Sequence, residues 1–191
     1  WLPPLPPVLP LGTLVSDTER NGRLAPTIGL KDDPVKQRQA PWTLDLTRSG
    51  GHAVIIGAPQ SGRTTALRTI AASLALTHTP KEVGIYGLDL TGSGLRRLEG
   101  FPHVGGVVTR GDEDRMQRLL EELTAMLRAR EALFKQLRID AMQEFRRLHA
   151  QGRIPSVSSA DIVLLVDGYG ALRSEFEQLE GLFTALMMQA A

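Results

Sequence analysis

Gly57-Ala58-Pro59-Gln60-Ser61-Gly62-Arg63-Thr64-Thr65 is the stretch that decides the fold. A short apolar run, His52 to Ile56, precedes it, and an apolar segment of helical period, Ala66 to Leu76, follows. Buried strand, glycine-bounded loop and helix, in that order, are the context a phosphate-binding loop requires. Gly57 and Gly62 carry no Cβ, so the backbone there can turn tightly and approach an anion. Successive N–H groups of such a loop point inward, and the helix behind it adds the positive end of its dipole. Thr64 stands where a hydroxyl ligates Mg2+ beside the phosphates.

Working outward, two positions depart from that chemistry. Arg63 stands where the motif has lysine. The positive charge is kept, but a planar fork replaces a compact ammonium, which alters contact with the outer phosphates. The second departure lies about a hundred residues on. Asp161-Ile-Val-Leu-Leu-Val-Asp167 is an apolar run ended by an acid, the pattern of a buried parallel strand whose C-terminal end faces a site. After a phosphate loop, Asp167 is the acid expected to hold a Mg2+ water. The next residue, where motor ATPases carry a glutamate that activates water, is Gly168. Without that base, hydrolysis forgoes help worth about 10²–10⁴ in rate.

Composition sets the outer bounds. The 191 residues suffice for one domain with a sizeable core. A formal net charge of +1 gives no global argument for nucleic acid or an anionic membrane. Cysteine is absent, which excludes disulfides and thiolate metal sites and agrees with a cytosolic setting. No apolar run reaches bilayer-spanning length, and the N-terminus has no basic-then-apolar leader pattern.

Trp1 to Pro10 is proline-rich and uncharged, and is expected to be polyproline II lying on an apolar groove. Turn residues at Asn21-Gly22, Asp32-Asp33-Pro34 and Ala40-Pro41 divide the next segment into short strands or hairpins, with a strand at Trp42–Leu46 and a turn at Arg48–Gly51. Val83–Leu90 is β-rich and ends near Asp89, followed by a turn, a short helix near Leu95–Leu98, and a turn and strand through Val108. His103, beside Pro102 and apolar residues, reads as structural. Asp112 to Leu137 has helical spacing at Met116, Leu120, Leu123, Leu127, Phe134 and Leu137. Its interleaved charges read as a solvated face, and Arg128, Arg130 and Arg138 make no nucleic-acid stripe. Shorter helices are expected at about 140–151 and at Glu175–Ala191. Three parallel strands are expected, after Gly51, near Val83 and near Ile162.

Taken in order, Ile28–Pro34, Gly57–Thr65, Tyr86–Leu90, Phe101–Val104, Arg130–Phe134 and Val163–Asp167 give nearly the whole chain a family likeness. It resembles the FtsK/SpoIIIE branch of RecA-like P-loop ATPases, and within it is similar to the C-terminal ATPase domains of the EccC family of type VII secretion. The resemblance implies an α/β fold, a mainly parallel sheet flanked by helices, with residues 1–12 a linker and 13–191 a domain incomplete at its C-terminus. It implies ATP and Mg2+ as ligands, with Gly57, Ala58, Pro59, Gln60, Ser61, Gly62, Arg63, Thr64 and Thr65 cradling phosphates and Thr64 and Asp167 organising the metal. It further implies tandem neighbouring ATPase domains, a hexameric assembly, a secreted protein substrate, and a membrane complex at whose cytoplasmic face the domain works. Arg63 and Gly168 fit a degenerate member in which hydrolysis is weak or absent. Two other readings stay open: a DNA-translocating motor, and an interaction module that binds no nucleotide.

Overall fold

The computed structural model describes residues 2–15, 24–47, 51–92 and 94–190. The chain divides into two units, Trp1–His78 and Thr79–Ala191.

In the first unit the turn signal at Asp32-Asp33-Pro34 is realised as a hairpin. Strands β1 (Thr27–Asp33) and β2 (Arg38–Thr43) pair antiparallel, and Pro34–Lys36 forms a 3-10 turn at the tip. The Asp33 side chain accepts from the Lys36 N–H at 3.3 Å, and Gln37 takes a left-handed backbone to re-enter the ladder. Helix α1 (Arg63–Thr77) buries Ile70, Ala71, Ser73 and Leu74. Ser73 Oγ accepts from the Thr27 N–H at 2.8 Å, giving a buried backbone donor the partner that the ladder does not supply.

Three expectations for this unit are corrected. The strand placed at Trp42–Leu46 ends at Thr43 and begins four residues earlier. The run His52–Ile56 is not a buried strand: it joins neither sheet, and Val54 and Ile56 are 83% and 92% exposed. Apolar, β-branched composition makes a strand only where a neighbour offers a ladder, and the hairpin of this unit is engaged with α1 instead. The proline-rich segment is extended, with Pro10 at φ −64° and ψ 127°, but it is only partly covered. Gln39 Nε2 donates to the Pro3 carbonyl at 2.7 Å, and Leu5, Leu9 and Leu14 help line a pocket of about 250 Å3 against Ile28 and Leu30. Leu2 and Val8 remain exposed. Trp1, Asn21-Gly22 and residues 48–50 lie outside the described residues.

The second unit is built on a parallel sheet. Strand β3 (Val83–Asp89) is central, flanked by β4 (Val104–Thr109) and β5 (Asp161–Asp167), in the order β4-β3-β5. All of β3 but Tyr86 is buried, as a strand covered on both faces must be. The third parallel strand is therefore β4 and not the run after Gly51. Helix α2 (Glu113–Leu137) starts at Asp112, whose carboxylate accepts from the Arg115 N–H at 3.1 Å, with Glu113 and Asp114 complementing the dipole. Its Met116, Leu119, Leu120 and Leu123 form a core with Leu88, Leu90 and Val108. Leu137, expected on that stripe, is 43% exposed. Helix α3 (Met142–Ala150) packs Phe145 and Leu148 on Ile139 and Ile154.

The final helix expected at Glu175–Ala191 is found at Glu177–Gln189, and a short helix that was not expected precedes it. Helix α4 (Tyr169–Glu175) breaks at Phe176, whose φ of −128° and ψ of 59° are not helical, and α5 (Glu177–Gln189) follows. Leu172 of the first and Leu179, Phe183 and Leu186 of the second all reach the core. Tyr169 packs on Phe183 with ring centroids 5.7 Å apart, holding the two helices together.

Candidate functional site

The loop Gly57–Thr65 sits on the surface of the first unit at the N-terminus of α1. Ala58 C=O accepts from the Ser61 N–H at 3.2 Å, closing a turn over Pro59 and Gln60. Gln60 (φ 63°) and Gly62 (φ 90°) both take a left-handed backbone. The ladder of α1 begins with Ala66 N–H donating to Gly62 C=O at 2.8 Å, so the preceding donors face out of the helix end. A Cβ on Gly57 would collide with Ser61 Oγ, whereas one on Gly62 would meet nothing within 4 Å. Open backbone at a helix N-terminus, with the hydroxyls of Thr64 and Thr65 and the Arg63 guanidinium nearby in sequence, is a donor set suited to phosphate oxygens. Arg63 and Thr65 are exposed and Thr64 is half-buried.

The second unit presents two acids side by side. Asp89 and Asp167 end β3 and β5 in direct register, and both are buried. Their positions are the C-terminal ends of parallel strands, where open α/β sheets bind ligands. Both oxygens of Asp89 are occupied, one accepting from the Gly92 N–H at 3.1 Å and the other from the Leu95 N–H at 2.8 Å. The carboxylate thereby fixes the turn leading into the 3-10 segment Leu95–Gly100. The sequence alone assigns no role to Asp89, although the run before it ends in an acid just as the run before Asp167 does. Gly168 follows with φ 94°, and caps α4.

The start of β5 is gripped from two helices. Arg146 of α3 makes a two-pronged ion pair with Asp161, Nε to one oxygen at 2.7 Å and Nη2 to the other at 2.9 Å. The hydrogen bond to Asp161 holds the Arg146 guanidinium above its ordinary range. Arg130 of α2 donates to the carbonyls of Ala160 and Ser159 at 2.8 and 2.6 Å and lies over the Phe145 ring at 5.8 Å. Burial lowers its pKa from the usual value. Arg130 was expected on a solvated face and instead points inward. Its guanidinium keeps its charge while reaching carbonyls that a strand start leaves open. His103 is buried, and its backbone carbonyl accepts from the Ile85 N–H, in keeping with a structural position.

Among the described residues no group of three or more His, Cys, Asp or Glu is arranged to hold a metal ion, and no helix is long and apolar enough to cross a membrane.

With this geometry in hand, comparison with known proteins is informative. The family model described as FtsK/SpoIIIE matches residues 20–190. The chain is 41% identical over 182 residues to the ESX-1 secretion system protein EccCb1 of Mycolicibacterium smegmatis, covering 94% of this chain and 31% of that protein. It superposes on the cytoplasmic domain of the Thermomonospora curvata type VII secretion ATPase EccC with a TM-score of 0.85 at 42% identity, covering 97% of this chain and 23% of that one. A structure of ATPases 2 and 3 of the same EccC, in complex with a signal sequence peptide, gives a TM-score of 0.82 at 43% identity, with 97% and 33% covered. The chain thus spans about a third of the curated relative and a third or less of either solved chain. The α/β fold with its parallel sheet flanked by helices is the fold of these EccC ATPase domains.

Proposed function

Because this chain belongs to the FtsK/SpoIIIE family and is closely related to EccC and EccCb ATPase domains, we propose that it is an accessory ATP-binding domain of a type VII (ESX) secretion ATPase. It binds ATP with Mg2+, turns it over weakly or not at all, and serves protein export. The observation that carries the nucleotide part is the loop Gly57–Thr65, with its left-handed backbone at Gln60 and Gly62 in front of α1. In this reading the loop cradles phosphates, and Arg63 offsets charge on the outer phosphates. Thr64 is a metal ligand, and Asp167 holds a metal-bound water. ATP-Mg2+ supplies the anionic group these residues are suited to bind, and the lack of an acid after Asp167 limits the activation of water.

Residues 1–12 serve as a linker to a neighbouring ATPase domain and 13–191 as the domain itself. The partners are such neighbouring domains, a secreted substrate, and a membrane complex at whose cytoplasmic face the domain works. That the Thermomonospora EccC ATPases carry a signal sequence peptide supports the export role. The test is isothermal titration with ATP and Mg2+, where one site is expected. Absence of heat at millimolar ATP would leave the nucleotide-free interaction module. Turnover stimulated by duplex DNA would favour the translocating motor.

A further inference from the structure

The residue after Asp167 is not merely an acid that is missing. Gly168 sits at φ 94° and ψ 42°, a conformation that residues with a Cβ rarely adopt. A Cβ there would lie 2.6 Å from Thr91 Cγ2, 3.3 Å from Leu90 Cβ and 3.4 Å from the Leu90 carbonyl carbon. Of these neighbours Leu90 is not free to retreat, whereas Thr91 is exposed. Leu90 is 1% exposed and its N–H donates to the Asp167 carbonyl at 2.9 Å. Thr91 is β-branched and begins the turn that Asp89 pins through Gly92 and Leu95.

We propose that Thr91 and Gly168 are a matched pair, and that Thr91, next to the Asp89 carboxylate's hold on Gly92 and Leu95, together with Leu90 crowds the place after Asp167 against a side chain. Weak turnover is then built into the backbone of two strand ends, and Gly168→Glu alone cannot install a general base. The meaning of this for catalysis rests on the reading of Asp167 proposed above, while the packing itself does not.

Hydrogen exchange in the full chain separates the two. Gly168→Ala is expected to speed exchange of the Leu90, Gly92 and Leu95 amides by about tenfold or more, because the strand ends must part to admit the new atom. Thr91→Ser removes Cγ2 and should change little alone. Combined with Gly168→Ala it should return part of the lost protection. Gly168→Asn tolerates the left-handed backbone but still carries a Cβ, so it must also speed exchange, which keeps the test readable if the alanine variant folds poorly. Wild-type protection in Gly168→Asn would overturn the pairing, as would a double variant whose change is simply the product of the two single ones. Failure of wild-type protein to bind ATP-Mg2+ would remove the nucleotide reading and leave the exchange result standing.

Discussion

Gly62 and Gly168 make an instructive pair. Each is the residue before a helix, each follows a stretch carrying expected ligand residues, and their φ values are nearly equal at 90° and 94°. They differ in what surrounds them. A Cβ on Gly62 would meet nothing within 4 Å, whereas one on Gly168 would press on Thr91 and Leu90. The same backbone demand is thus met once in the open and once in a crowded corner. A glycine at a helix start therefore says little about binding until its neighbours are known.

The largest effect that would sharpen this contrast is in stability. Gly168→Ala must bear both a left-handed backbone and crowding, together about 3 kcal/mol. A chain of this size should then melt roughly 6–12 °C lower. Gly62→Ala bears the backbone term alone, about 1–2 kcal/mol. Equal losses in chemical denaturation would break the comparison. Next in size, Thr64→Ala should weaken ATP-Mg2+ binding about tenfold, close to 1.4 kcal/mol, with little change in melting point. Titration and melting of the same preparation check both halves. Phosphate release from Gly168→Glu should stay at the wild-type level, and a clear rise would mean the corner is less crowded than its geometry implies. Smallest of all, Arg63→Lys should tighten nucleotide binding a few-fold without raising turnover, since a compact ammonium suits the outer phosphates better than a planar fork.

Much of the fold is legible in the chain itself. The periodicity of Glu113–Leu137, the apolar runs at Val83 and Asp161, and the turn at Asp32-Asp33-Pro34 each carry a local cause, and each became the expected element. His52–Ile56 failed because a ladder partner is a property of the fold and not of the run. Strand β4 was only faintly marked, since Gly105 and Gly106 dilute its β character. Its reason lies across the sheet, where a Cβ on Gly105 would come 2.5 Å from the Tyr86 ring. The candidate loop Gly57–Thr65 was easy to single out because its residues are contiguous. Asp89 and Thr91 were not, because their roles depend on which strand end lies beside which.

The grip on the start of β5 has a kinetic consequence. This strand pairs with β3 across a separation of 78 positions, from Asp161 to Val83, so its docking closes a long loop and is entropically slow. Arg146 pairs with its first residue, Arg130 holds the carbonyls of Ser159 and Ala160 just before it, and Ser159 Oγ donates to the Pro80 carbonyl at 2.8 Å. Once those clamps form, the remaining pairs are local additions in a fixed register. The strand should therefore zip from Asp161 towards Asp167, bringing the acid to its place beside Asp89 as the last act of folding this sheet.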